Sequence, residues 1–383
     1  MAELRPGWNR VKFGRIAECV NDRVDDPASA GVERYVGLEH LDPESLTIRR
    51  WGAPDEVEST KLRFKPGDII FGKRRAYQRK LGVADFEGIC SAHAMVVRAR
   101  PGNVVPEFLP FLMQSDIFMK RAVEISVGSL SPTINWKTLA EQEFALPPLE
   151  EQTRAVALLA SVRASSDALH EAVVAAQRTE TALVEDFINR TRQREKIGQH
   201  VSDISYGCSL KSTSERQGIP MLRIPNVLRG DLDLGDLQWI ELGEAERAQF
   251  EVRPSDILLV RTNGNPDYVG RSVVVPEGTP PMAFASYLLR LRVTTTMLPE
   301  YLSAMINAPT TRRSLRGSIR SSAGNYNVNT TGIREQAVPI CSIGEQGLLV
   351  EQFREAKLCR EGLQHRASEM AAFRAQVLRE VLA

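Results

Sequence analysis

The sequence predicts an α+β protein built from two similar mixed α/β segments, each followed by a long helix. Three observations lead to this prediction. About forty residues that follow Pro147 and Pro148 contain neither proline nor glycine, so nothing interrupts a helix that starts at Leu149. Apolar residues recur along that stretch at steps of four and three residues. The same pattern returns 194 residues later, where Gln346 occupies the place of Gln152.

The step pattern is typical of a coiled-coil seam. The first helix carries it at Ala155, Leu159, Val162, Leu169, Val173, Ala176, Leu183 and Phe187. The second helix carries it at Leu349, Phe353, Ala356, Leu363, Ala367, Met370, Val377 and Val381. The polar interruptions coincide as well, because Ser166 and Glu180 fall on Arg360 and Arg374. A single helix cannot bury such a stripe alone, so we expect the two helices to pair with each other.

The composition is that of a globular protein of about two domains. Of the 383 residues, 43% are hydrophobic and 25% are charged, and the formal net charge is +1. This charge excludes a wholesale polyelectrolyte but leaves room for local basic surfaces. The five cysteines never show a Cys-x-x-Cys spacing, so neither a disulfide framework nor a zinc site is predicted. Because the sequence has no signal-peptide core and no long apolar run, we expect a reduced, cytoplasmic protein.

The first segment, residues 1–148, combines short β-type runs with a helical stretch after Pro106, which predicts a mixed α/β domain with a small sheet. Its densest charge cluster follows a predicted strand and consists of Lys73, Arg74, Arg75, Tyr77, Arg79 and Lys80. On a turn, such cations can neutralise phosphates, and the tyrosine can pack on a sugar or base. A solvated basic hairpin without a ligand is the alternative.

A polar loop later in the first segment offers hydroxyl and amide groups that suit base edges or phosphates. Its candidate residues are Ser129, Asn135 and Trp136. The signal is weak by itself, because loops of this composition are common in proteins.

The second segment, residues 195–342, repeats the order of elements with different loop tips. Its candidate DNA-contacting residues are Arg261, Asn263, Asn265, Arg271, Arg320, Asn325, Tyr326 and Asn327. Arginine and asparagine make bidentate contacts that separate guanine from adenine, so a changed loop reads a changed sequence. The alternative is that these loops have simply diverged, as surface loops do.

Over essentially its whole length the chain resembles the specificity subunit of type I restriction-modification systems. The resemblance rests on the stretches KPGDIIFGKRRAY at 65–77, GSLSPTINW at 128–136 and LPPLEEQ at 146–152, the last echoed by VPICSIGEQ at 338–346. A proline-containing stretch that ends in Glu-Gln and opens a long helix is highly specific when it occurs twice. In the second copy Cys341 and Ser342 replace the proline pair.

This resemblance implies two target recognition domains, 1–148 and 195–342, and two spacer helices, 149–194 and 343–383, that pair as an antiparallel coiled coil. It further implies that two modification (methyltransferase) subunits dock on the helices and that restriction or motor subunits are possible further partners. The residues of the helices expected to serve partner binding are Leu159, Val162, Leu169, Val173, Leu183, Phe353, Leu363, Met370 and Val377. Double-stranded DNA is the expected ligand, with each domain reading one half of an asymmetric bipartite target.

No catalytic residue, bound cofactor or metal is expected in this chain. The sequence has no Asn-Pro-Pro-Tyr or Asp-Pro-Pro-Tyr methylation motif, no nucleotide-binding loop and no His/Cys metal cluster. S-adenosylmethionine is expected on the partner modification subunit. Three interpretations compete: a DNA-reading subunit without catalysis, a fused enzyme or nuclease, and a coiled-coil adaptor that binds only protein. The resemblance favours the first.

Overall fold

The structure, a computed structural model, describes residues 4–322 and 324–382. Ala323 of the predicted second-segment loop lies outside the described residues, as do the ends of the predicted first segment and C-terminal helix at 1–3 and 383. The chain divides into two compact units. Unit 1 is Met1–Glu171 together with Gln364–Ala383, and unit 2 is Ala172–Leu363.

Among its described residues, unit 1 contains ten short strands and the first half of a long helix. The strands are β1 Asn9–Lys12, β2 Ala17–Val20, β3 Arg23–Val24, β4 Tyr35–Val36, β5 Lys61–Phe64, β6 Ile69–Phe71, β7 Leu81–Val83, β8 Gly88–Ser91, β9 Met95–Ala99 and β10 Glu143–Leu146. The helices are α1 Phe13–Ile16, α2 Leu109–Gln114, α3 Asp116–Glu124, α4 Trp136–Ala140 and α5 Leu149–Arg190, the last of which continues into unit 2.

Unit 1 has two four-stranded sheets where the sequence predicts a single small one. Their strand orders are β2-β9-β6-β7 and β3-β5-β8-β4, and β1 pairs with β10 in a separate ribbon. The second sheet escaped prediction because β3 and β4 are two residues long, too short to show an alternating pattern. The side chains of Phe13, Phe118 and Phe144 meet in the core, with ring centroids 5.2 to 5.8 Å apart.

The helical stretch predicted after Pro106 is divided into α2 and α3. Ser115 between them is extended, with φ −63° and ψ 154°, and its side chain accepts a hydrogen bond from Phe118 N as the N-cap of α3. A serine competes with the helix by offering the backbone this local acceptor, which accounts for the break.

Among its described residues, unit 2 contains twelve strands, the second half of α5 and the first half of a second long helix. The strands are β11 Arg194–Lys196, β12 Val201–Tyr206, β13 Ile219–Leu222, β14 Gln238–Ile240, β15 Ile257–Val260, β16 Thr262–Asn263, β17 Ser272–Val274, β18 Ala283–Phe284, β19 Leu288–Val293, β20 Arg320–Ser322, β21 Asn325–Asn327 and β22 Ala337–Pro339. The helices are α6 Glu244–Phe250, α7 Pro299–Asn307, α8 Pro309–Arg316, α9 Thr330–Arg334 and α10 Ile343–Leu382, the last of which returns to unit 1.

The main sheet of unit 2 has the order β12-β19-β15-β17. Its strands follow one another in the same spatial order as the corresponding strands β2-β9-β6-β7 of unit 1. The ribbon β11-β22 likewise matches β1-β10. Unit 2 has a three-stranded sheet, β16-β21-β20, where the corresponding loops of unit 1 are joined by the isolated bridges Arg74–Thr133 and Val127–Thr133. The scaffold is therefore repeated, and the differences lie at its loops.

The two long helices pack together in each unit. In unit 1, Ala155 and Leu159 of α5 share one apolar cluster with Val377, Leu378 and Leu382 of α10. In unit 2, Val184 and Ile188 of α5 share a cluster with Leu349 of α10, and Glu180 forms an ion pair of 2.6 Å with Arg360. Early residues of one helix thus meet late residues of the other in both units.

Candidate nucleic-acid interface

The cationic turn, residues 73–80, joins β6 to β7 in unit 1. A single 3₁₀ turn, Ala76–Gln78, forms its centre, and Arg75 and Arg79 flank it with φ values of 57° and 52°. Buried Ala76 anchors the turn, whereas the Tyr77 side chain is 56% exposed. The left-handed conformation at both flanks makes the chain reverse sharply, so the turn projects from the sheet.

The structure divides the predicted cations into two groups. Arg79 pairs with Glu44 and with Asp116 at 3.0 Å and donates to Gln114 O at 2.8 Å. Lys80 donates to Leu38 O at 2.7 Å. These two side chains are committed to contacts within unit 1. They therefore hold the turn rather than offer charge to a ligand.

Arg74 and Arg75 form the outward group, in which Arg75 is exposed, whereas Arg74 and the neighbouring Lys73 are half-buried. Arg74 Nη1 lies 3.1 Å from His93 Nε2, and exposed Arg75 donates from Nη2 to Ser131 Oγ at 3.3 Å. Because arginine can only donate, His93 accepts through an unprotonated Nε2. Burial, followed by the nearby charge of Arg74, lowers the pKa of His93. The histidine thus stays a neutral acceptor at neutral pH, a role that the sequence did not indicate.

The adjoining loop, residues 127–135, lies against this outward group. Arg75 N donates to Pro132 O at 2.8 Å, and Ile134 N donates to Lys73 O at 3.0 Å. The loop presents exposed Ser129 beside Leu130, which is 91% exposed. The cationic turn and the adjoining loop, which are more than forty residues apart in the sequence, therefore form one surface.

Two predicted residues at the end of this loop, Asn135 and Trp136, make contacts within unit 1 at the start of α4. The Asn135 side chain caps α4 by accepting from Lys137 N at 3.0 Å, although the residue remains exposed. Trp136 is half-buried, with its ring centroid 5.9 Å from that of Phe13. Because the Trp136 ring packs against the core, it is poorly placed for stacking on a base.

In unit 2 the three-stranded sheet β16-β21-β20 brings the two predicted loops together. Asn263 lies opposite Tyr326, and Arg320 lies opposite Asn327, with exposed Asn325 at the hairpin. The loop that begins at Asn263 is shaped by hydrogen bonds from its backbone to its own side chains. Asn263 Oδ1 accepts from Asn265 N at 2.8 Å, and Asn265 Oδ1 accepts from Asp267 N at 2.9 Å. A row of amide, guanidinium and phenol groups therefore lies on one small sheet.

The remaining predicted arginines of unit 2 are partly held by the protein. Arg261 lies 4.7 Å from the ring centroid of Tyr206 and donates to Ser286 O at 3.1 Å. Arg271 lies 5.0 Å from the ring centroid of Tyr268 and donates to Leu228 O at 3.1 Å. Both guanidinium groups are oriented by these contacts, which fixes their direction before any ligand binds.

Two exposed tyrosines of unit 2 were not among the DNA-contacting residues predicted from the sequence. Tyr206 is 41% exposed and Tyr287 is 58% exposed, and Arg261 N donates to Tyr287 O at 2.9 Å. Both stand at strand ends, before Gly207 and Leu288, and an aromatic residue at such a turn is the signal that could have marked them. Exposed aromatic rings next to arginine suit stacking on nucleic-acid bases.

The seam residues predicted for partner binding face inward. Leu159, Val162 and Val377 are buried, and Leu169, Val173, Leu183, Phe353, Leu363 and Met370 are half-buried. The large apolar side chains that remain exposed along α5 and α10 are Leu149, Leu158, Ile343, Leu348, Leu358 and Phe373. A protein docking on the helices would therefore meet these outward residues rather than the seam.

The chain is similar to known DNA specificity subunits. Residues 55–175 match the model of the type I restriction modification DNA specificity domain. The chain is 21% identical over 322 residues to the EcoKI specificity subunit of Escherichia coli K12, which covers 78% of this chain and 69% of that protein. The chain is therefore similar to type I specificity subunits, and residues 55–175 match their DNA specificity domain. These relatives are named as specificity subunits, a non-catalytic role in the restriction-modification complex.

Solved structures share the fold over the whole chain. The S subunit of a type I restriction-modification system from M. genitalium is 11% identical, with a TM-score of 0.57 and coverage of 100% of this chain and 98% of that one. A structure described in terms of complex assembly and conformational transition of a type I system is 18% identical, with a TM-score of 0.59 and coverage of 100% and 99%. At these identities the likeness concerns the fold.

Among the described residues, no group of three or more His, Cys, Asp or Glu side chains is arranged to hold a metal ion. Within the same part of the chain, no helix has the length and apolar character needed to cross a membrane.

Proposed function

We propose that each segment of this specificity subunit reads one half of an asymmetric bipartite DNA target. Residues 1–148 would act as one target recognition domain and residues 195–342 as the other. The observation that supports this division is a main sheet repeated with the same strand order but with different loops attached to it. Because the loops differ in chemistry, the two half-sites differ in sequence and the target is not a palindrome.

In the first domain the DNA-facing surface consists of Arg74, Arg75, Tyr77 and Ser129, with Lys73 beside them. Cations at an exposed turn contact phosphates, and an arginine of this set can also read a guanine in the major groove. In the second domain the surface consists of the sheet β16-β21-β20 together with Arg261, Tyr206 and Tyr287. Amides and aromatic rings dominate there, which favours readout through hydrogen bonds and stacking.

The long helices serve as a spacer and as a platform for other proteins. We propose that α5 and α10 pair as an antiparallel coiled coil and hold the two domains at a set distance. Two modification (methyltransferase) subunits would dock on the outward face, where Leu348 and Leu358 are 63% and 62% exposed. Exposed apolar side chains that form a contiguous patch mark interfaces, and we propose such a patch on this face. S-adenosylmethionine would bind to those subunits and not to this chain.

A domain exchange tests the proposal. Residues 1–148 are replaced by the equivalent part of a relative, with the junction before Leu149, and the complex with its modification subunits is expressed in a host whose methylated sites are then mapped. One half of the methylated sequence should change and the other should stay the same. A change in both halves would refute independent reading.

The reciprocal exchange of residues 195–342 is the matched control and should change the other half alone. Retention of both halves in both exchanges would favour an adaptor that binds only protein.

A further inference from the structure

Each long helix begins with a buried glutamine that reaches back to its own domain. In unit 1, Gln152 is 2% exposed. Its Oε1 accepts from Val105 N at 2.9 Å, and its Nε2 donates to Pro147 O at 2.9 Å. Val105 directly precedes the 3₁₀ turn Pro106–Phe108, which leads into α2. The side chain thus connects three places: the start of the domain helix, the end of β10 and the first turn of α5.

Unit 2 repeats this arrangement with different neighbours. Gln346 is 0% exposed, and its Oε1 accepts from Leu298 N at 2.8 Å. Its Nε2 donates to Thr296 O and to Cys341 O, both at 3.1 Å. Leu298 directly precedes α7, as Val105 directly precedes the turn before α2. The same three-way connection therefore exists in both units, although the residues around it differ.

The other side-chain hydrogen bonds of the two junctions differ between the units. In unit 1, Trp8 Nε1 donates to Glu151 Oε1 at 3.3 Å, next to the rigid proline pair. In unit 2, Ser342 N and Oγ donate to Glu345 Oε2 at 2.9 Å and 2.7 Å. Among the described side chains at the two helix starts, the glutamine is thus the polar contact that both junctions keep.

We propose that Gln152 and Gln346 are positioning residues that fix the direction in which each recognition domain stands on its helix, and thereby set which spacer lengths the complex accepts. This inference rests on the proposed reading of two half-sites. A buried amide that satisfies backbone groups from two other places cannot be displaced without leaving them unpaired, so it resists tilting of the domain.

Small tilts are enough to matter for the spacer. A domain of this size is about 38 Å across. Rotation by about 5° at the junction therefore moves a loop on its far side by about 3 Å, which is the rise of one base pair. Loss of the glutamine contacts should broaden the accepted spacer range while the contacts that read the bases stay intact.

The experiment uses the chain assembled with its modification subunits. Gln152→Met and Gln346→Met keep the length of the side chain but remove both amide contacts. Methyl transfer from tritiated S-adenosylmethionine is measured on duplexes with the native half-sites and a spacer of native length, one pair shorter or one pair longer. Gln177→Met and Gln352→Met, at exposed positions of the same two helices, are the matched controls.

In each buried variant, the rate ratio between the native and the altered spacers should fall about tenfold relative to the wild type, as loss of buried hydrogen bonds implies. Discrimination against a mismatched half-site should stay unchanged. A rate ratio equal to that of the control variants would overturn the proposal. A wild-type complex without spacer preference would instead overturn the proposed function, and this inference with it.

A second pair of variants covers the case in which the Met variants lose activity on every duplex. Gln152→Asn and Gln346→Asn keep the amide but shorten the side chain by one methylene, so that it cannot reach both of its backbone partners at once. A flattened spacer profile in these variants supports the proposal. An unchanged profile, or an equal loss at every spacer with an unchanged melting temperature, overturns it.

Discussion

Two arginines that look equivalent in the sequence have opposite roles in the cationic turn. Arg75 and Arg79 flank the same 3₁₀ turn, and both have positive φ. Arg75 is exposed, whereas Arg79 is held by Glu44, Asp116 and Gln114 O. The residues that bind Arg79 lie 35 to 37 positions away in the sequence, on either side, so no local pattern could separate the two side chains.

This difference makes Arg75→Asn and Arg79→Asn a matched pair of variants, because asparagine tolerates the left-handed conformation that both positions require. Arg75→Asn should lower the slope of log affinity against log salt for DNA binding by about one unit, with an unchanged melting temperature. Arg79→Asn should lower the free energy of unfolding by about 1 kcal/mol and leave the slope intact. Salt titration and thermal unfolding of the assembled complex measure both. The same slope for Arg75→Asn and the wild type would show that the turn is a solvated basic hairpin.

Glu345 gives the second junction a pH dependence of its own. Hydrogen bonds from the Ser342 side chain, and then from the Ser342 backbone, lower the pKa of the Glu345 carboxyl below its ordinary value of 4.5. A lowered pKa in the folded state means that the carboxylate stabilises the helix start above about pH 4.5, and that this contribution is lost as pH falls through the lowered value.

We therefore expect hydrogen exchange at the first amides of α10 to accelerate as pH falls below 4.5, beyond the intrinsic change in exchange rate. Glu345→Gln cannot titrate and should show a constant protection factor over the same range. Identical pH responses of the two proteins would mean that this cap does not contribute to the start of the helix.

At the scale of elements, the long helices are the part that the sequence predicts best. The start of α5 at Leu149 follows from the proline pair, and its length follows from the absence of helix breakers. The seam is predicted less well near its end, since Val184 and Ile188 are buried while Leu183 and Phe187 are half-buried. A helix of 3.6 residues per turn drifts relative to a strict heptad, and α5 also packs on the core of unit 2 there.

The ion pair in the seam provides a test of helix pairing within unit 2. Glu180 and Arg360 side chains are 16% and 18% exposed. Arg360→Met should cost about 2 kcal/mol of unfolding free energy, because it leaves a mostly buried carboxylate unpaired. Arg360→Met combined with Glu180→Leu should return to within about 1 kcal/mol of the wild type.

Chemical denaturation of the four proteins of this double-mutant cycle measures the coupling between the two positions. Arg354→Met, at an exposed position of the same helix, is the control and should change stability by less than about 0.5 kcal/mol. Equal effects of Arg360→Met and Arg354→Met would contradict a buried role for the pair.

At the scale of the whole molecule, the repeated scaffold and the similarity to type I specificity subunits could be predicted from the sequence, because the same junction occurs before two helices. The reading surface could be predicted only in part. Spacing along the chain does not show that Trp136 is drawn into the core beside Phe13, nor that Tyr206 and Tyr287 stay exposed. These outcomes depend on which elements pack together, and a single sequence does not report that.

The proposed spacer role predicts the effect of lengthening both helices. The pair Glu180–Arg360 places Thr181 and Cys359 at matching points, so a heptad inserted after each keeps the rest of the seam in phase. The helices lengthen by about 10 Å, equivalent to about three base pairs. Twist of the duplex opposes the full change, because each added pair rotates one half-site by about a tenth of a turn, so the accepted spacer should grow by about one to three pairs.

Mapping of methylated sites in a host that expresses the lengthened chain measures the result. The two half-sites should stay the same. An active variant that keeps the original spacer would refute the role of the helices as a ruler, while DNA recognition would remain unaffected. Insertion of a heptad in one helix alone is the control, and it should abolish activity because the seam then loses its register.

The division of the chain into units has a consequence for its synthesis on the ribosome. Unit 2 is one continuous stretch, Ala172–Leu363, whereas unit 1 needs Gln364–Ala383 to complete it. During translation unit 2 can fold as soon as it emerges, but Ala155 and Leu159 must wait for Val377 and Leu378 to cover them. The half of the molecule that is made first is thus the half that is finished last, and its uncovered apolar strip is the surface that a nascent-chain chaperone would meet.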